Sequence, residues 1–145
     1  MKILVINGPN LNFLGIRDKK VYGDESYDYL VKMIMKWADE KGIEAECYQS
    51  NHEGDLIDRI QKAYFDGTDG IVINPGALTH YSYALYDALG SYDTIPKVEV
   101  HISDISSRDE FRRVSVTAPA CEKQIKGHGL GGYLEAMEYI LETDR

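Results

Sequence analysis

Ile3-Leu4-Val5-Ile6-Asn7 runs without a break into Gly8-Pro9-Asn10. Consecutive aliphatic residues, most of them β-branched, mark a strand buried on both faces, as in parallel sheets. The Gly-Pro pair then ends the strand. Outward from this run, helical and strand signals alternate to the far end of the chain. Leu30, Met33, Ile34, Trp37 and Ala38 recur at helical spacing, and Gly42 stops that helix. Glu44–Gln49 reads as a second strand, weakened by its charges, and Ser50 with Glu53 fits a capping box for the next helix. Leu56, Ile57, Ile60, Ala63 and Tyr64 form that helix's apolar stripe. Gly70–Asn74 is a third strand, Tyr81–Leu89 a third helix and Lys97–Ile102 a fourth strand. Ser107 and Glu110 fit a second capping box, opening a short turn through Arg113. A last strand lies near Cys121–Lys126, before a helix with Leu134, Met137, Ile140 and Leu141 on one face.

Five βα units predict the α/β class: a flavodoxin-like three-layer fold with a five-stranded parallel sheet in the order 2-1-3-4-5. The 145 residues are expected to form one domain, 1–145, large enough for a single core. With 43% apolar and 28% charged residues the composition is that of an ordinary globular enzyme. Ile3–Ile6 is too short an apolar run for a signal peptide or a membrane span, so a cytoplasmic protein without membrane contact is expected. Cys47 and Cys121 lack CxxC spacing and read as packing residues. A formal charge of −8 argues against sequence-independent binding to nucleic acid or anionic membrane. A locally positive pocket for an anionic substrate is still allowed.

In open α/β sheets ligands bind beyond the carboxyl ends of the strands, where strand order reverses. That rule selects Asn7-Gly8-Pro9-Asn10, Asn74-Pro75-Gly76-Ala77 and His101-Ile102-Ser103, and it places Asn10 and Asn74 in one crevice. Each asparagine taken singly also reads as a turn residue. Glu99 and His101, two apart on a strand, share one face, so the carboxylate can orient and stabilise a protonated imidazole acting as a general acid. Beyond them Arg108, Arg112 and Arg113 bring positive charge, and the amino end of their capped turn offers backbone N–H groups to an anion. The sixteen residues Gly8–Gly23 have no apolar periodicity but carry Arg17 and Tyr22. A loop beyond about 12–15 residues is uncommon unless it is a lid or a binding loop. Gly127, Gly129 and Gly132 match G-x-G-x-x-G, yet too little chain follows for a dinucleotide site, so they are read as close helix–sheet packing. Pro9 lacks the N–H that a flavin-phosphate cradle would use. His52, His80, His101 and His128 show no zinc-type spacing, so no metal is expected.

Asn7-Gly8-Pro9-Asn10-Leu11-Asn12, Leu14-Gly15-Ile16-Arg17 and Tyr22-Gly23 together resemble the amino-terminal signature of type II 3-dehydroquinate dehydratases. Gln49–Gly54, Asn74–Ser82, Glu99–Ser103 and Arg108–Arg113 continue the resemblance over nearly the whole chain. It implies a hydro-lyase that removes water from the small anionic substrate 3-dehydroquinate by anti elimination through an enolate, with no cofactor. Tyr22 would be the base at C2, and His101 the acid for the departing C1 hydroxyl. Arg17 would close over the site, Asn10 would hold a water against the enolate oxygen, and Arg108 would help ionise Tyr22. Asn74, Gly76, His80, Arg112 and the Ile102–Ser103 backbone would position the substrate. Asp87 would reach Arg108 from an adjacent subunit, which implies a homo-oligomer of trimers assembled into a dodecamer.

A free phenol of pKa about 10 is only about 0.1% ionised at neutrality. One guanidinium at about 4 Å contributes roughly 1 kcal/mol in bulk water but about 4 kcal/mol at an effective dielectric near 20. The base role therefore demands two arginines and a partly dry site. No lysine lies in the strand-end motifs, which leaves a Schiff-base route unsupported. Read by residues alone, the chain also fits a flavodoxin-like module that binds a nucleotide or flavin. A hydrolase using Ser103 or Ser82 is a further reading, although neither serine sits in a Gly-x-Ser-x-Gly elbow.

Overall fold

The computed structural model describes residues 1–143, with Val21 and Tyr22 described by backbone only. Strand β1 is Lys2–Asn7, followed by a single helical turn α1, Lys19–Tyr22, and by α2, Tyr27–Lys41. Then come β2 (Glu44–Gln49), α3 (Glu53–Phe65), β3 (Gly70–Asn74), α4 (Tyr83–Ser91), β4 (Lys97–His101), β5 (Lys123–Lys126) and α5 (Gly131–Thr143). Every strand pair is parallel and the order is 2-1-3-4-5, as the alternation predicts.

The period of two in β1 divides the core. Ile3 and Val5 join Leu30, Ile34, Met137 and Ile140 on the α2/α5 side, while Leu4 and Ile6 join Leu56, Ile60, Leu85 and Leu89 on the α3/α4 side. All four β1 residues are fully buried, each contributing about 1.5–3 kcal/mol. Cys47 packs against the first cluster and Cys121 against the second, both as free thiols.

Gly42 ends α2 in the left-handed conformation, φ +69°, and Ser26 caps its start by accepting from the Tyr29 N–H. Neither predicted capping box forms. Ser50 Oγ donates to Asp55 and accepts from the His52 N–H, while Glu53 accepts from the Ser82 hydroxyl. Ser82 in turn caps α4, which begins two residues later than predicted. Ser107 ends a 3-10 turn, Ile105–Ser107, whose cap is Asp104, and a second such turn spans Glu110–Arg112. Asp104 already takes the Ser106 N–H, so this turn's amino end is not the anion cradle the sequence suggests. Of the three late glycines, Gly132 packs as expected: a Cβ there would lie 3.4 Å from Ile125 and Val100. Gly129 meets nothing within 4 Å and instead supplies a turn at φ +61°.

The loops after β1 and β3 lie backbone against backbone. A Cβ on Gly8 would sit 2.3 Å from the Pro75 carbonyl oxygen, and one on Gly76 would sit 2.9 Å from that of Pro9. Only glycine permits that approach, and it brings the two strand ends into one wall.

Candidate active site

A cavity of about 120 Å³ opens at the carboxyl ends of β1, β3 and β4. Asn10, Arg17, Asn74, Gly76, His80, His101, Ile102, Ser103, Arg108 and Arg112 all line it. Its remaining walls are Pro9, Leu11, Ala77 and Ile105. Arg113 does not line it; its Nε donates to the Arg108 carbonyl. Asp87 lies exposed on α4, outside the cavity. The Tyr22 side chain lies outside the described residues.

The β1 edge of the cavity is braced. Asn10 adopts the left-handed conformation, φ +70°, and its N–H donates to Asn51 Oδ1 at 2.9 Å. Gln49 Nε2 donates to the Gly8 carbonyl and to Asn51. Gln49 and Asn51 thus hold the asparagine loop open toward the cavity, a role their sequence gives no sign of.

At the β4 edge, His101 Nε2 lies 2.8 Å from Glu99 Oε2, with Glu99 fully buried. The same oxygen also accepts from Ser115, Gln124 and Thr79, and Glu99 Oε1 accepts from Thr117. Burial alone would raise this carboxyl's pKa. The hydrogen bond and charge of His101, with Thr117 and Ser115, outweigh burial and hold it below the usual carboxylate range. An ionised carboxylate only accepts, so the proton on Nε2 is fixed and Nδ1 is the nitrogen His101 presents to the cavity. Gln124 is legible in principle, because it sits opposite Glu99 in the β4–β5 register. Thr79, Ser115 and Thr117 come from irregular segments that carry no such signal.

His80 faces the same cavity from a 3-10 turn, Gly76–His80, and its Nδ1 lies 2.8 Å from the Val114 carbonyl. A carbonyl can only accept, so Nδ1 carries the proton and Nε2 is left as an acceptor. Burial lowers the pKa of His80, the Val114 carbonyl opposes this, and electrostatic repulsion with the facing His101, Arg112 and Arg108 lowers it again. The net direction is down, which keeps His80 neutral. Arg112 stacks over Phe111 at 4.6 Å and its Nε donates to Asp109. The arginine segment is thereby tied to His80 through Val114 and to Glu99 through Ser115.

Among the described residues no group of His, Cys, Asp and Glu side chains is arranged to hold a metal ion, and no lysine lines the cavity.

The Dehydroquinase class II family model matches residues 1–141. This chain belongs to the class II dehydroquinase family. It is 61% identical to a 3-dehydroquinate dehydratase of Lachnospira eligens over 98% of this chain and 97% of that one. It is 59% identical to one of Thermotoga neapolitana, over 97% and 94%. Among solved structures it resembles the type II dehydroquinase of Butyrivibrio crossotus at TM-score 0.97 and 64% identity, covering 97% of each chain. The type II dehydroquinase of Propionibacterium acnes follows at TM-score 0.93 and 40% identity, covering 99% of this chain and 97% of that one. The class II dehydroquinase fold therefore extends over the cavity and both of its walls. No helix among the described residues is long and apolar enough to cross a membrane.

Proposed function

We propose that this chain is a type II 3-dehydroquinate dehydratase, a hydro-lyase converting 3-dehydroquinate to 3-dehydroshikimate by anti elimination through an enolate. The reaction would serve the shikimate pathway or quinate catabolism. One observation carries the reading at the level of chemistry. A single cavity collects the Nδ1 face of His101, backed by an ionised Glu99, with two cavity amides and the guanidinium groups of Arg17, Arg108 and Arg112.

The Tyr22 phenolate takes the C2 proton, and the electrons of that C–H bond pass into an enolate at the C3 carbonyl. Asn10 holds a water against the enolate oxygen. The enolate then collapses, the C1–O bond breaks, and the departing oxygen takes the Nδ1 proton of His101 and leaves as water. Arg17 closes over the site, and Arg17 and Arg108 favour the phenolate. Asn74, Gly76, neutral His80, Arg112 and the Ile102–Ser103 backbone position the substrate's carboxylate and hydroxyls.

Two phenols near this end of the sheet, Tyr27 and Tyr133, are poor bases. Burial pushes Tyr27 up to about 12, and burial also pushes Tyr133 above the ordinary range. Both keep their protons at neutral pH, which favours the lid tyrosine.

The elimination asks for neither metal nor organic cofactor. Adding 3-dehydroquinate to chelator-treated protein is expected to give the ultraviolet absorbance of a conjugated enone. No absorbance change would overturn the reading. Residues 1–145 are read as one catalytic domain acting in the cytoplasm on a small substrate, without nucleic acid or membrane partners. The family resemblance implies trimers assembled into a dodecamer, in which Asp87, exposed on α4, reaches Arg108 of a neighbouring copy and completes the site. Light scattering that gives the mass of one chain would contradict the assembly.

A further inference from the structure

One of the buried polar groups that the elimination leaves unused is a phenol. Tyr133, in the first turn of α5, has no exposed surface. Its hydroxyl lies between the carboxyl ends of β1 and β3, 2.6 Å from Asn7 Oδ1 and 2.9 Å from Asn74 Nδ2. A phenol has one proton to give, so the direction of each bond matters. The Gly76 N–H donates to Asn74 Oδ1 at 3.1 Å, which commits the carbonyl end of that amide and turns its NH2 end toward Tyr133. Facing a donor, the phenol accepts there and gives its own proton to Asn7. A backbone N–H thus sets the polarity of the whole chain of bonds, from Gly76 through Asn74 and Tyr133 to Asn7.

Asn7 presents Oδ1 to the phenol of Tyr133, which leaves its Nδ2 on the side of the Tyr27 hydroxyl. Turning the Asn7 amide over would force the phenol's proton onto Asn74, against the order that Gly76 imposes. Of the two Asn74 Nδ2 protons, Tyr133 receives one and the other is left for the cavity that Asn74 lines.

We propose that Tyr133 is a positioning residue for substrate recognition: it fixes the rotation of the Asn74 amide so that an N–H, and not a C=O, faces a substrate oxygen. This rests on the functional reading above. Burial keeps the phenol protonated, so the direction of the bonds does not change near neutral pH.

Tyr133→Phe removes one oxygen and keeps the ring. Because Asn74 holds the substrate and not the reacting atoms, KM is expected to rise about tenfold while kcat stays within about twofold. In an Asn74→Ala background the second substitution is expected to add nothing. A merely structural tyrosine would lower the active fraction, and so kcat, with KM unchanged, and its effect would multiply with that of Asn74→Ala. Either result overturns the proposal. Should Tyr133→Phe fail to fold, side-chain amide NMR of the unmutated protein decides: one slowly exchanging Asn74 Nδ2 proton supports the assignment, and two rapidly exchanging ones overturn it. That spectrum is independent of turnover, so a wild-type protein without dehydratase activity would count against the functional reading alone.

Discussion

Tyr22→Phe is expected to lower kcat by about 10³–10⁴-fold, the upper range for a positioned general base, while 3-dehydroquinate binding changes less than about threefold. The substitution removes a single oxygen from the lid. The groups proposed to hold the substrate, Asn74, His80 and Arg112, all line the cavity. Steady-state kinetics would measure the first quantity, and equilibrium titration of the inactive variant the second. Turnover within tenfold of the parent enzyme would assign proton removal to another group. Two alternatives are weak: Tyr27 and Tyr133 hold their protons, and among the described residues no lysine lines the cavity.

His101→Gln is expected to lower kcat by about 10²–10⁴-fold, with a smaller change in KM. Glutamine is the informative replacement because its amide can still donate to Glu99 from the position of Nε2. An alanine would leave a buried carboxylate without its principal partner and confuse loss of the acid with loss of the fold, since breaking a buried pair costs about 3–5 kcal/mol. Thermal denaturation checks that the variant is folded. A folded His101→Gln enzyme within tenfold of the parent would mean that the leaving hydroxyl draws its proton from elsewhere.

The sheet was legible because burial on both faces leaves a run such as Ile3–Ile6 few alternatives, and because five such units admit few strand orders. The Glu99–His101 contact was legible for an equally simple reason: residues two apart on a strand share a face. The strand-end rule likewise brought Asn10, Asn74 and His101 to one cavity. The capping boxes failed because S-x-x-E names two side chains without naming their competitors. Asp55 drew Ser50, the Ser82 hydroxyl drew Glu53, and Asp104 displaced Ser107. Thr79, Ser115 and Thr117 were not readable, since no period relates an irregular segment to a carboxylate 16 to 20 residues away. Tyr133 sits beside the apolar stripe of α5, and only the fold reveals that its hydroxyl ends between two strands.

The central claim is that a phenolate removes the C2 proton on the face opposite the departing hydroxyl, with no imine to the protein. Deuterium placed at C2 anti to the C1 hydroxyl of 3-dehydroquinate tests this directly, with the product analysed by mass spectrometry. The proposed chemistry predicts a product that has lost the label, formed under a primary isotope effect when proton removal limits the rate. Retention of the label, with borohydride trapping substrate on a lysine, would contradict it.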